Sequence, residues 1–279
     1  MRIKTFSGKR VYVFGGSSGI GLAAARQLAG MGADLALFAR DGNKLEKAGQ
    51  EVRHFVTDPS RQVHVFTVDV SNRDRVLEAV ANAARVLGPP NILINCAGRA
   101  IPRCFADIGE DQLSQTLAIN LCGTWHTIAT ALPYMRERGG HIVNVSSVAG
   151  FLGVYGYADY AASKFAVMGL SEVLRSEFKP MGIGVSVLCP PDTDTPALAA
   201  EAATKPEETK AISAGARVLS ADAVAKAMIR GIQKNRAVIV PGFDGRLIWL
   251  AKRLFPGVVA FFMDRTIRRT RCGKTPADG

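Results

Sequence analysis

Histidine and tryptophan are scarce in this 279-residue chain, with four copies and two, and cysteine occurs five times at wide, irregular intervals. Scattered histidines offer no metal-ligand cluster, and an odd set of distant thiols makes neither a secreted disulfide framework nor a zinc signature. No metal is expected, and the cysteines read as reduced, mostly buried thiols. No run of 18 apolar residues is present, so no transmembrane helix is expected. Met1 to Arg10 lacks the apolar core and cleavage pattern of a targeting peptide. Internal repeats and a flexible interdomain linker are missing too. With 48% hydrophobic and 21% charged residues, the composition excludes a disordered chain, a collagen-like repeat and a coiled coil. The length suits one α/β domain with an ample core.

Acidic residues are the other shortage: 24 stand against 35 Lys and Arg, a net charge of +11. That balance fits nucleic acid, an anionic membrane, phosphorylated ligands or solubility alone. Its location narrows the choice. Gly245 to Thr275 holds eight basic residues and one acid, which leaves the rest of the chain at +4. A nucleic-acid-binding body is therefore not expected.

What is present is an alternation of short apolar runs with helical patterns, the mark of βαβ units around a parallel sheet. Strands are expected at 10–14, 34–38, 62–67, 91–95, 141–146 and 183–189, with a weaker one at 237–240. Helices are expected at 19–29, 42–54, 73–87, 111–135, 158–179 and 221–233. Near-continuous apolar strands such as Ile142-Val143-Asn144-Val145 suit a sheet covered on both faces. The fold expected is a Rossmann-type, doubly wound α/β sheet: one catalytic domain over residues 1–243 and a basic, amphipathic tail over 244–279. Residues 190–217, rich in Pro, Thr, Ala and Glu, are too long for an idle connection and read as a functional lid with helical pieces.

Gly15-Gly16-Ser17-Ser18-Gly19-Ile20-Gly21 follows a strand and opens a helix, where backbone N–H groups and the helix N-terminus can meet a pyrophosphate. At the end of the second strand, where an acid usually binds the ribose 2′-hydroxyl of NAD, Ala39 and Arg40 stand instead. A guanidinium suits a 2′-phosphate, so NADPH/NADP+ is the expected cofactor; an ordinary surface arginine is the other reading. Asp69 reads either as an adenine partner or as a helix-capping acid. Asn95-Cys96-Ala97-Gly98 ends the fourth strand with small residues at the crevice.

Tyr160 and Lys164, four apart on a helix, share one face. A phenol is a weak acid at neutral pH, and a nearby ammonium stabilises its phenolate. Ser147 follows the fifth strand and can polarise a carbonyl, while Asn120 interrupts an apolar helix and can hold a water. Together with the glycine turn, these residues resemble the short-chain dehydrogenase/reductase family over roughly residues 8–240. The resemblance implies that Tyr160 donates a proton to the substrate oxygen, Ser147 orients that oxygen, Lys164 binds the nicotinamide ribose and lowers the tyrosine pKa, and Asn120 keeps a relay water. It also implies cofactor contacts from Gly15, Ser17, Ser18, Gly19, Ile20, Gly21, Arg40, Asp69, Val70, Asn95, Ala97, Gly98, Tyr160, Lys164, Pro190, Thr193 and Thr195, and a homo-oligomer of two or four chains. Phe14 and Pro191 depart from the family pattern, which has Thr and Gly there.

Within that family, Pro190 to Pro196, Thr204 to Thr209, Ala39 to Leu45 and the stretch after Tyr160 look like the 3-ketodihydrosphingosine reductase subgroup. The implied reaction is NADPH-dependent reduction of a long-chain, lipophilic ketone. Glu201, Glu207 and Glu208 in the lid are weighed as attractors of a substrate ammonium, or as a solvated helix face. Another lipophilic ketone or 3-oxoacyl substrate, and an idle dinucleotide-binding protein, are the alternatives. The tail joins Leu247 to Phe255 and Val258 to Met263 with Lys252, Arg253, Arg265, Arg268, Arg269, Arg271 and Lys274. It suits peripheral contact with an anionic membrane at its cytoplasmic face, or a helical pair packed on the domain or on a partner subunit.

Overall fold

The strand β1 (Arg10–Phe14) shows why the sheet needs two covers: Val11 and Val13 enter one core, Tyr12 and Phe14 the other, all four fully buried. The computed structural model describes residues 3–272; Lys274, counted with the tail, lies outside them, as does the side chain of Arg271. After β1 the chain runs through α1 (Gly19–Gly30), β2 (Asp34–Ala39), α2 (Gly42–Arg53), β3 (Val63–Thr67), α3 (Arg73–Val86) and β4 (Ile92–Asn95). There follow α4 (Glu110–Leu117), α5 (Gly123–Met135), β5 (Gly140–Val145), α6 (Ala158–Glu177) and β6 (Ile183–Leu188). The C-terminal third contains β7 (Thr193–Asp194), α7 (Pro196–Glu201), α8 (Glu207–Ser213), β8 (Leu219–Ser220), α9 (Ala221–Gln233), β9 (Val238–Ile239), α10 (Phe243–Leu254) and α11 (Pro256–Cys272).

Seven parallel strands lie in the order β3-β2-β1-β4-β5-β6-β9. Strand order reverses between β1 and β4, and the crevice beyond the strand ends there is where ligands bind in such sheets. On one face, Ala23, Ala24 and Leu28 of α1 pack with Val224, Met228 and Ile232 of α9. On the other, Val76 and Val80 of α3, Ile128 and Ala131 of α5, and Leu174 of α6 cover the sheet.

One expectation changes and two are sharpened. The helix expected over 111–135 is divided by a π-helical turn at Ala118–Cys122, a widening common at functional sites. The stretch 190–217 holds the expected helical pieces, α7 and α8, and also the strand β7, which pairs with β8 just beyond it. The residues after 243 form two helices whose inner side packs on the domain: Trp249 meets Phe151 edge to face at 4.8 Å, and Ile248, Val259 and Met263 join the small core of Phe151, Leu152 and Met168. Their outer side still carries exposed Leu247, Leu250, Leu254, Phe255, Val258, Phe261 and Phe262. Among the described residues, no helix is long and apolar enough to cross a membrane.

Candidate active site

The glycine turn between β1 and α1 is held by the main chain. Gly15 and Gly16 donate their N–H groups to the Phe38 carbonyl at 2.8 and 3.2 Å, so the turn closes without a side-chain tether. Phe14, at the position of the missing hydroxyl, is buried and stacks on Phe38 at 4.2 Å. Gly15 has φ +81°, and a Cβ there would lie 2.6 Å from the Ala97 nitrogen; one on Gly21 would lie 2.2 Å from the Gly15 carbonyl oxygen. Bare backbone is thus obligatory where β1, α1 and the end of β4 converge. Ser18 caps α1 by backbone shape alone and the first turn carries no acid, which keeps the positive helix end open to an anion. These residues fit a dinucleotide's pyrophosphate.

At the end of β2, Arg40 is exposed. Its neighbour Asp41 accepts the Lys44 N–H at 3.0 Å as the N-cap of α2, so that carboxylate belongs to the helix end. Asp69 Oδ1 accepts from both the N–H and the hydroxyl of Ser71, at 2.9 and 2.7 Å, while Asn72 caps α3. Gly19, at φ +53°, approaches Thr195 closely: its Cβ would sit 3.0 Å from Thr195 Cγ2. Thr195 itself caps α7 and donates to the Thr193 carbonyl. The start of the 190–217 stretch therefore rests on the glycine turn.

Ser147, Tyr160 and Lys164 converge at one cavity at the end of β5. Burial drives the Tyr160 pKa upward, Ser147 opposes that, and the charges of Glu201 and Asp192 add to the rise. Lys164, 4% exposed, donates to the Val145 carbonyl at 2.8 Å, with Nζ 5.6 Å from the centre of the Tyr160 ring. Burial lowers the Lys164 pKa to about 8. Gly98 completes the contact, since a Cβ there would lie 3.4 Å from Lys164 Nζ and 3.3 Å from Asn120 Oδ1. A phenol paired with a hydroxyl and backed by an ammonium can pass a proton to an oxygen held between them.

Asn120 sits in the π turn, but its side chain is a strut. Oδ1 accepts the Arg99 N–H at 2.8 Å, and Nδ2 donates to the Arg99 carbonyl at 3.0 Å and to Ser163 Oγ at 2.9 Å. The Asn95 side chain is likewise tied into the fold. Its buried amide donates to Asn144 and accepts from Thr127, below the crevice, because the end of β4 needs its polar side chain satisfied inside the core. The Val70 side chain is also core, pressed against Gly123, so only its main chain can face a ligand.

A cavity of about 380 Å³ opens from this centre, within the usual range of ligand sites. Ile20, Ser147, Tyr160, Lys164, Pro190, Thr193 and Thr195 line it, and Leu152, Val154, Leu198 and Ile248 give it an apolar wall. Phe243, 78% exposed, stands at its edge. Sequence reasoning missed one polar element of the wall. Tyr157, one helical turn before Tyr160, hydrogen-bonds Glu201 at 2.5 Å, and the two tyrosine rings lie 5.5 Å apart. Only the three-residue spacing of the tyrosines hinted at it.

Comparison with known proteins agrees with this geometry. A family model described as short chain dehydrogenase matches residues 9–206. The chain is 38% identical over 244 residues to the 3-dehydrosphinganine reductase of Danio rerio, covering 87% of this chain and 74% of that one. It is 37% identical over 270 residues to the 3-ketodihydrosphingosine reductase of Dictyostelium discoideum, covering 91% and 80%. Among solved structures, a putative short-chain dehydrogenase from Novosphingobium aromaticivorans superposes with a TM-score of 0.77 at 28% identity, covering 92% of this chain and 88% of that one.

Proposed function

This chain belongs to the short-chain dehydrogenase family and is an NAD(P)H-dependent oxidoreductase, and on that premise we propose that it reduces the C3 ketone of 3-ketodihydrosphingosine to dihydrosphingosine with NADPH. The observation that carries the reading is the cavity. Its polar end holds Ser147, Tyr160 and Lys164, and its apolar wall leads past Ile248 to Phe243 at the surface, a shape for a ketone at the end of a long alkyl chain. Relatives that bear this reaction in their names support the substrate class.

When bound, the cofactor supplies a hydride to the ketone carbon. Ser147 orients the ketone oxygen, and Tyr160 gives it a proton. Lys164 holds positive charge beneath the tyrosine and stabilises the phenolate left behind. With its side chain engaged in three hydrogen bonds, Asn120 offers the relay water its main-chain carbonyl, which also accepts the Thr124 hydroxyl at 2.8 Å. Arg40 receives the 2′-phosphate, and the glycine turn with Thr193 and Thr195 receives the rest of the dinucleotide. The remaining cofactor contacts expected from the resemblance, Asp69 through its second carboxylate oxygen among them, belong to the same proposal.

Residues 190–217 act as the lid over this site, and α10 and α11 lie on the cytoplasmic face of a membrane. Supporting the second point, exposed Leu250, Leu254, Phe261 and Phe262 share these helices with Lys252, Arg253, Arg265, Arg268 and Arg269, the mixture that binds an anionic interface. Exposed Trp125 on α5 with Phe165 and Val173 on α6 supports a homo-oligomer of two or four chains. Initial rates of NADPH oxidation with 3-ketodihydrosphingosine, 3-oxoacyl thioesters and steroid ketones test the substrate. The sphingoid ketone is expected to be turned over best, and a strong preference for either other class overturns the proposal.

A further inference from the structure

An acid stands beside the proton donor. The Glu201 carboxylate accepts the Tyr157 hydroxyl at 2.5 Å, Tyr157 packs its ring 5.5 Å from that of Tyr160, and Glu201 lines the same cavity as Ser147 and Tyr160. Its charge reaches the reacting phenol, where it helps hold the proton on. For a neutral ketone this arrangement is a handicap, because the phenolate formed as Tyr160 releases its proton is repelled by a neighbouring carboxylate. A cationic group on the substrate removes the handicap.

The other charges around the cavity leave Glu201 to do this. Asp192 is paired with Lys205 at 3.6 Å, and Lys205 lies 5.9 Å above the Tyr157 ring. Arg99 is hydrogen-bonded to Gln115 on the far side, Lys164 lies below Tyr160, and Asp244 and Arg217 sit on exposed positions at the rim. The other lid acids do not compete: neither Glu207 nor Glu208 lines the cavity, and Glu207 is paired with Lys210 at 2.7 Å. Burial raises the Glu201 pKa while Tyr157 and Lys205 restrain it, the state of a carboxyl short of a counter-charge.

We infer that Glu201 is a specificity-determining residue that binds a protonated amine on the carbon next to the ketone, with Tyr157 holding the carboxylate in place. The inference deepens the reading of the substrate as a sphingoid ketone and rests on it for the amine's position. It explains how one cavity with an apolar wall distinguishes an amino ketone from the many neutral ketones of similar length.

The test separates charge from packing. Glu201→Gln keeps the acceptor for Tyr157 and the side-chain volume but removes the charge; Glu201→Asp keeps the charge on a shorter arm. Calorimetric titration of NADP+-loaded protein compares dihydrosphingosine, which is cationic, with N-acetyl-dihydrosphingosine, which is not. In Glu201→Gln the cationic ligand is expected to weaken by roughly 10-fold to 100-fold, the size of a charge-assisted hydrogen bond, while the neutral ligand changes less than about 3-fold. Glu201→Asp is expected to retain part of the preference. Equal weakening of both ligands, or no weakening of the cationic one, overturns the inference. Wild-type turnover of 3-ketodihydrosphingosine is read separately: its failure overturns the substrate proposal, and an unchanged amine preference in Glu201→Gln overturns the role of Glu201.

Discussion

Lys164 Nζ lies 5.6 Å from the centre of the Tyr160 ring, with its position fixed by a hydrogen bond to the Val145 carbonyl at the end of β5. The side chains are one helical turn apart on α6, so the helix sets their spacing and the sheet sets their depth. Tyr160→Phe removes only the hydroxyl. It is expected to lower kcat/KM by about 10²-fold to 10⁴-fold and to leave the Kd for NADPH nearly unchanged, as read by cofactor fluorescence. Loss of cofactor binding in step with activity contradicts the assignment.

Lys164 is also expected to set a pH limb. With its pKa lowered to about 8 by burial, it is an ammonium below that pH and loses its charge as the pH rises through it. The support it gives the Tyr160 phenolate disappears together with that charge. Ketone reduction is therefore expected to fall above about pH 8, and Lys164→Arg, which keeps its charge to much higher pH, is expected to remove that limb from whatever activity remains. The pH profile of kcat/KM for both proteins checks this.

Much of this site is legible in the sequence because it depends on local pattern. The glycine turn, Ser147 after a strand and the Tyr160–Lys164 pair all sit next to the periodicity that places them. The π turn at Ala118–Cys122 leaves no such trace, since Ala-Ile-Asn-Leu-Cys continues an apolar helical pattern and the extra residue is accommodated by tertiary bonds from Arg99 and Ser163. The Asn95 side chain is hidden for a similar reason: a polar residue at a strand end serves a crevice or a buried network, and only the positions of Thr127 and Asn144 show that its amide joins the network. The Tyr157–Glu201 bond joins residues 44 apart, beyond any periodicity. The tail is apolar on two sides, and sequence alone does not say which side meets the domain.

Cofactor choice is expected to rest on Arg40. Asp41 is engaged as the cap of α2, so no carboxylate beside Arg40 competes for the ribose hydroxyls. Arg40→Ala is expected to weaken NADPH binding by about 10-fold or more, the value of a charge-assisted contact, with little effect on NADH. The ratio of the two dissociation constants measures it directly, and an unchanged ratio contradicts the assignment.

His141 offers a test of the core that is independent of activity. It is fully buried on β5 and donates from Nε2 to Ser186 Oγ, because that hydroxyl gives its own proton to the Arg236 carbonyl. Among the described residues Nδ1 has no partner, and a Cβ on Gly184 would lie 2.6 Å from it. Burial and the charge of Arg175 lower its pKa to about 4. An unfolded chain takes up the proton near pH 6.5 and the folded one only near 4, so stability is full above 6.5 and declines as pH falls between those values. The loss is about 3 kcal/mol at most, and chemical denaturation of a His141→Gln variant should show a flatter dependence over pH 4–6.5 than the wild type.

Truncating the tail would expose Phe151, Leu152 and Met168, which pack on Trp249 and Met263. Membrane contact is better tested on the outer face. A combined Leu250→Ser, Phe261→Ser, Phe262→Ser variant removes about 2 kcal/mol of apolar transfer per site. It is expected to lose most co-sedimentation with anionic vesicles and to keep its thermal stability. Equal sedimentation of variant and wild type contradicts the membrane reading.

The central claim is that this site delivers hydride to C3 of a sphingoid ketone while Tyr160 supplies the proton. The most direct measurement uses NADPH deuterated at both C4 positions, with 3-ketodihydrosphingosine as substrate and mass spectrometry of the product. The account predicts dihydrosphingosine bearing one deuterium at C3, formed by the wild type and nearly absent with Tyr160→Phe. Product without deuterium at C3, or equal yields from the two proteins, would contradict it.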